Sequence, residues 1–166
     1  MAPLAEIVKT QFGPTFTLTP MATVGLYTSD FDGDGVEDAV FIADSPDPLP
    51  DSFQYKYVVG DPYHAFFGFG NPQQTATLNK NDAGHNHILL VIFGAGPEGW
   101  RAATPKAKFV LVNVPFDTIE IGRLMVKKNR PPINTIRASE ARLMDSQVYY
   151  DAKKKKWKWQ PSDMLE

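Results

Sequence analysis

Apolar residues fall in short runs or alternate with polar ones along this chain, and no segment keeps an amphipathic helical period over three turns. Thr15-Phe16-Thr17-Leu18 and Thr23-Val24-Gly25-Leu26-Tyr27 mix β-branched and aromatic side chains, which predicts short strands. Ala39-Val40-Phe41-Ile42-Ala43 and the Ile-Leu-Leu-Val-Ile-Phe run at 88–93 are continuously apolar, and residues 109–114 are apolar but for Asn113, the pattern of strands buried on both faces. Phe53, Tyr55 and Tyr57 alternate with Gln54 and Lys56, the period of a half-buried strand. Val148-Tyr149-Tyr150 and Trp157-Lys158-Trp159 predict the arms of a hairpin, with Asp151-Ala152-Lys153-Lys154 near its turn. Prolines 46, 48 and 50 make residues 44–52 an irregular connection, and the polar stretch 71–86 reads as a long surface loop. Residues 139–144 predict a helical turn or two capped by Ser139. The expected class is mainly β: a single compact domain over 1–166 built of short antiparallel strands, β-propeller-blade-like or a related β-sheet domain, with few short helices.

Composition narrows this picture only slightly. At 166 residues and 43% apolar content the chain can bury one core of its own. Fourteen prolines and 12 glycines favour turns over long helices. The longest apolar run, 88–93, is strand-sized and far too short to cross a membrane as a helix. The opening Met1-Ala2-Pro3-Leu4 lacks the basic flank and apolar stretch of a secretory signal. With no cysteine, disulfides and thiolate metal sites are excluded.

Charge is unevenly distributed behind a net value of −2: residues 1–99 carry 12 acids and 3 Lys/Arg, and residues 100–166 carry 7 and 14. Two halves that pack together and neutralise each other account for this, and a basic patch for an anionic partner is the competing reading.

One stretch states a chemistry. Asp30-Phe31-Asp32-Gly33-Asp34-Gly35-Val36-Glu37-Asp38 sets four aspartates at positions 1, 3, 5 and 9, with glycines at 4 and 6. Carboxylates this close repel unless a cation lies among them. A hard ion taking oxygen ligands satisfies them together, and Ca²⁺ accepts an irregular cage more readily than Mg²⁺. The candidate metal ligands are Asp30, Asp32, Asp34 and Asp38 through their side chains and Val36 through its carbonyl. An EF-hand loop is excluded, because Glu37 stands at position 8 and Phe41 at position 12, where that loop needs an apolar residue and a bidentate Glu.

The nine-residue Asp-x-Asp-Gly-Asp-Gly-x-x-Asp loop running into a strand resembles the Ca²⁺ loop of FG-GAP repeats, as in integrin-type β-propeller blades. The resemblance covers about residues 27–43. It implies that Asp30, Asp32, Asp34 and Asp38 give side-chain oxygens and Val36 its carbonyl, with residues 39–43 as the following strand. Phe93-Gly94-Ala95-Gly96-Pro97 echoes that family's Phe-Gly and Gly-Ala-Pro elements, although it lies far from the loop and in the other order. Residues 148–157 look like the closing hairpin of bacterial repeat proteins of this kind. A single acidic loop does not support a propeller with metal in every blade. At roughly 40–45 residues per blade, the chain has room for about four at most. The resemblance implies a calcium-stabilised binding or scaffold module, extracytoplasmic (periplasmic or secreted), with an unidentified protein or glycan partner and a structural metal.

Two other classes use the same residues. Asp30-Phe31-Asp32-Gly33 also matches the start of a haloacid-dehalogenase-like phosphatase, a divalent-metal-dependent hydrolase, but Asp34 replaces that motif's threonine. Lysines 153–156 beside Trp157 and Trp159 combine charge with stacking surface, the recipe for single-stranded nucleic acid. A solvated hairpin tip with its tryptophans in the core is the preferred reading there, so nucleic acid is not the expected partner. His85 and His87 share one strand face and could hold a transition metal given a third ligand, His64 being the one other histidine. Gly94-Ala95-Gly96-Pro97-Glu98-Gly99 lacks the lysine of a phosphate loop and reads as a turn. No nucleophile setting or Gly-x-Ser-x-Gly elbow is present, so no catalytic residue is assigned and the chain is not read as an enzyme.

Overall fold

The structure, a computed structural model, describes residues 4–18, 26–44, 52–66, 88–114, 116, 118–125, 131–140 and 144–161, with His64, Glu140 and Met144 described in backbone alone. The expected irregular stretch at 45–51, the loop at 71–86, Val24 and its neighbours, and His85 and His87 lie outside these residues.

Strands dominate, and they form two sheets. The continuously apolar runs became the centre of the larger one. Strand β3 (Asp38–Asp44) pairs antiparallel with β5 (Ile88–Phe93), and β5 with β6 (Ala107–Leu111). On the free side of β3 two short strands follow each other, β1 (Thr17–Leu18) against Ala43 and Asp44, and β2 (Leu26–Ser29) against Asp38 to Phe41. Beyond β6, β4 (Val58–Gly60) adds the sheet's parallel edge. The second sheet is an antiparallel meander in chain order, β7 (Thr118–Leu124), β8 (Ile133–Glu140), β9 (Met144–Asp151) and β10 (Lys156–Pro161).

Alternation along each central strand sends side chains to two cores. Val40, Ile42, Leu89, Val91, Phe93, Phe109 and Leu111 face the second sheet and meet Ile136, Ala138, Val148, Trp157 and Trp159 there. Phe41, Ile88, Leu90, Ile92 and Val110 face the other way, onto Val8 and Phe12 of helix α1 (Leu4–Phe12) and onto Phe16, Tyr57 and Trp100. The molecule is therefore three-layered, helix on sheet on sheet, which explains why residues 39–43 of β3 and all of β5 are apolar. Among the described residues, no helix is long and apolar enough to cross a membrane.

Two local expectations are corrected, and one short helix, α1, lies where no element was expected. Val8 and Phe12 are buried and Leu4 and Ile7 half-buried on the inner face of α1, a helix of nine residues and so little more than two turns, which leaves too short a period to stand out. Phe53 and Tyr55 lie in a helical turn, α2 (Ser52–Tyr55), where a strand was expected: Phe53 is 93% exposed, Tyr55 packs half-buried at the edge of the core, Lys56 takes a left-handed backbone (φ 58°), and Tyr57 is buried in the core. Residues around Ser139 are strand, not helix. Glu140 pairs with Met144 and Ser139 with Asp145, so β8 and β9 form a hairpin whose inward positions are Ile136, Ala138, Ser146 and Val148. Thr135 and Gln147, hydrogen-bonded to each other, are buried as well, and Arg137 ties β8 to Glu120 and Asp145 across the strands. The C-terminal hairpin is as expected: Trp157 pairs with Tyr150 and Trp159 with Val148, and the Asp151 carboxylate accepts the Lys153 and Lys154 amides in the turn.

Candidate metal centre

Ser29 pairs with Asp38, so β2 and β3 are the arms of a hairpin and the acidic stretch is its loop. The loop folds on its own carboxylates. Asp30 accepts the Gly33 amide at 2.9 Å and the Gly35 amide at 2.7 Å, and Asp34 accepts that of Val36 at 2.9 Å. Gly33 and Gly35 stand at φ 78° and 82°, a left-handed backbone that the tight winding requires and that side chains resist. Phe31 drops into the core against Trp157, with ring centroids 5.9 Å apart, while its amide donates to Asp38. From the second sheet, the Asn134 side-chain amide donates to the Asp30 carbonyl at 3.0 Å.

Asp38 is the anchor. It is fully buried, and its two oxygens accept the Phe31 amide at 2.9 Å and the Gly94 amide at 2.8 Å. It thereby ties the loop to the turn after β5. That turn is a 3-10 segment, Gly96–Arg101, whose Gly99 breaks the helical backbone at φ 62°. Trp100 extends the tie by donating its indole N–H to Glu37 at 2.9 Å. The Gly94 turn that the sequence places far from the loop is thus its neighbour in space.

Burial pushes the Asp38 carboxyl up to about 7, against the two amides, and the charges of Asp32 and Asp30 push it the same way. Asp32 is also raised, by burial first, with Lys106 opposing. Asp34 is held below the usual carboxylate range: burial acts to raise it, but the Val36 amide and Lys106 prevail.

Asp30, Asp32 and Asp38 bring one oxygen each to within 4.8 Å of one another. A cation with oxygen ligands at about 2.3–2.6 Å sets opposite oxygens about 5 Å apart, so this spacing suits one hard ion. The Asp32 side chain is 3% exposed, and its Oδ1 is buried with no hydrogen-bond donor. Asp34 stands outside the triad and Val36 enters the site's hydrogen bonding through its amide.

A residue that the sequence reading missed completes the site. Lys106 Nζ donates to Asp32 at 2.7 Å and to Asp34 at 3.1 Å, and these bonds, Asp32's first, hold the lysine well above its ordinary range. Lys106 lies more than 70 residues along the chain from both partners, and only the opposite charge of the two halves hinted at such a pairing.

Of the other candidates, Trp157 and Trp159 are 6% and 3% exposed, so their faces belong to the core. Lysines 153–156 are exposed around the turn. A groove of about 280 Å³ beside helix α3 (Pro62–Phe66) and β10, lined by Phe66, Tyr149, Lys156 and Trp159 among others, includes no residue of the acidic loop. Comparison of the chain with protein-family models, curated proteins and solved structures returned no match.

Proposed function

We propose that residues 30–38 bind a hard divalent cation, Ca²⁺ by preference, and that the chain is a calcium-stabilised β-rich binding or scaffold module working outside the cytoplasm. The observation that carries this reading is the buried Asp32 Oδ1, an acceptor without a donor inside a cluster of three convergent carboxylates. A buried acceptor left unmatched costs about 1–3 kcal/mol, more for a charged group, and a cation offsets that cost. Asp30, Asp32 and Asp38 would hold the ion, and its charge would let all three stay ionised.

A structural role fits the surroundings better than a catalytic one. The loop's acids are engaged by backbone amides from the loop itself and from Gly94, so the ion would fasten a hairpin to the turn after β5. The described groove lies at other residues. Calcium sites of modest affinity fill without regulation where Ca²⁺ is near millimolar, which motivates the extracytoplasmic placement. The partner, a protein or glycan in this reading, would meet a surface other than the metal loop.

Titration calorimetry on chelator-treated protein tests the proposal. Ca²⁺ should bind with a stoichiometry of about one, and Asp32→Asn should largely abolish the heat. Undiminished binding in that variant would put the ion elsewhere. Divalent-dependent hydrolysis of phosphate esters, lost in Asp30→Asn, would overturn the structural role.

A further inference from the structure

Lys106 occupies the rim of the same cluster, and its geometry is that of a rival to the ion. Its backbone is fixed, because its amide donates to the Phe93 carbonyl at 2.9 Å immediately before β6. Its side chain is 50% exposed, so the ammonium head can swing into water without disturbing the sheet. The two carboxylates it holds are those of Asp32, 3% exposed, and Asp34, 25% exposed.

We infer that Lys106 is a tethered counter-ion which a divalent cation must displace to load the site; the inference rests on the cation reading given above. Two observations support it. First, Nζ and the proposed ion share one carboxylate, that of Asp32, whose second oxygen is the buried unmatched acceptor. An ammonium bound to the same group as a doubly charged ion is repelled at short range and in a partly desolvated setting. Second, Lys106 accounts for the position of Asp34. That residue has the spacing of a ligand, yet it stands outside the triad because Oδ2 is held by the lysine while Oδ1 accepts the Val36 amide. Once Lys106 leaves, Asp34 Oδ2 is free to join as a fourth carboxylate.

The lysine then has two effects of opposite sign. Without divalent ions it neutralises Asp32 and Asp34 and keeps the hairpin folded. With them it lowers apparent affinity, since each binding event must first break two charge-assisted hydrogen bonds. Removing the competitor should tighten Ca²⁺ binding by about ten-fold, equivalent to ~1.4 kcal/mol.

Two measurements test this. Calorimetry with CaCl₂ compares the full wild-type chain with Lys106→Met, and the variant is expected to bind about ten-fold tighter. Acetylation of Lys106 in the wild-type chain, followed by peptide mass spectrometry, should run several-fold faster in saturating Ca²⁺ than in chelator. The second needs no substitution, and therefore decides the matter even if Lys106→Met fails to fold. If wild-type protein binds Ca²⁺ but Lys106 reactivity is unchanged, or the Lys106→Met affinity stays within two-fold, displacement is refuted and the cation reading survives. If neither protein binds Ca²⁺ at millimolar concentration, the cation reading itself fails.

Discussion

Gly94→Ala is the substitution by which the joint between the acidic hairpin and the turn after β5 can be judged. A methyl group at that position would lie 2.2 Å from the Glu37 carbonyl oxygen, 2.5 Å from the Gly99 carbonyl carbon and 2.8 Å from the Gly99 Cα. All three are backbone atoms, so no side-chain rotation relieves the clash. Either the turn or the loop must move, and moving them stretches the bond from the Gly94 amide to Asp38. Overpacking of a close-fitted site costs about 1–3 kcal/mol, and the backbone character of these contacts puts the expected loss near the top of that range, ~3 kcal/mol. For a chain of this size each kcal/mol lowers Tm by about 2–4 °C, so a fall of roughly 6–12 °C is expected. Gly96→Ala is the control: Gly96 has φ 67° but nothing within 4 Å of the added carbon, so only backbone strain of about 1–2 kcal/mol applies. Thermal and urea unfolding of both variants in chelator give the comparison. A Gly94→Ala protein no less stable than Gly96→Ala would refute the close approach of turn and loop.

Acidification should act on the metal and on the metal-free fold with opposite signs. Asp38 ionises at about 7 in the metal-free fold, well above the ordinary 3.8, so a proton must leave before the carboxylate can take an ion. Ca²⁺ affinity is expected to drop by up to about ten-fold per pH unit below 7, and a Kd unchanged from pH 8 to 5.5 would contradict this. In chelator, the folded state holds that proton where the unfolded chain does not, so Asp38's contribution to stability is absent above about 7 and grows as pH falls towards 3.8. Urea midpoints between pH 7.5 and 5 check that direction. Replacing lysines 153–156 with alanine should change stability by less than about 0.5 kcal/mol, because all four are exposed. The same variant and the parent should show no quenching of Trp157 and Trp159 by short single-stranded DNA near physiological salt. Micromolar binding with quenching, lost in the variant, would give the basic half a recognition role.

Period and run length made the best-packed parts of the fold legible. Residues 39–43 and 88–93 are apolar at every position because each is covered on both faces, and the tryptophans of β10 alternate with lysines because one of its faces is in the core. The weak signals belonged to elements stabilised from outside themselves. Helix α1 is amphipathic over barely two turns, and β7 and β8 carry Glu120, Gly122, Arg123 and Asn134 among few buried residues, so neither strand shows an apolar run. Spacing was sufficient to bring out the acidic loop, since its bonds join residues two to seven positions apart. Its long-range partners, Gly94, Asn134 and Lys106, reach it only through the folded sheets and leave no local pattern. Repulsion among the aspartates of the loop is thus offset in part by a lysine of the same chain.

The most direct test of the cation site is a crystal structure grown in millimolar CaCl₂ and examined for anomalous scattering at the loop. Expected is one ion bound to carboxylate oxygens of Asp30, Asp32 and Asp38 at about 2.3–2.6 Å, with Lys106 turned away from Asp32. A loop without an ion under those conditions, with Lys106 still bonded to Asp32 and Asp34, would show that the lysine alone balances these carboxylates.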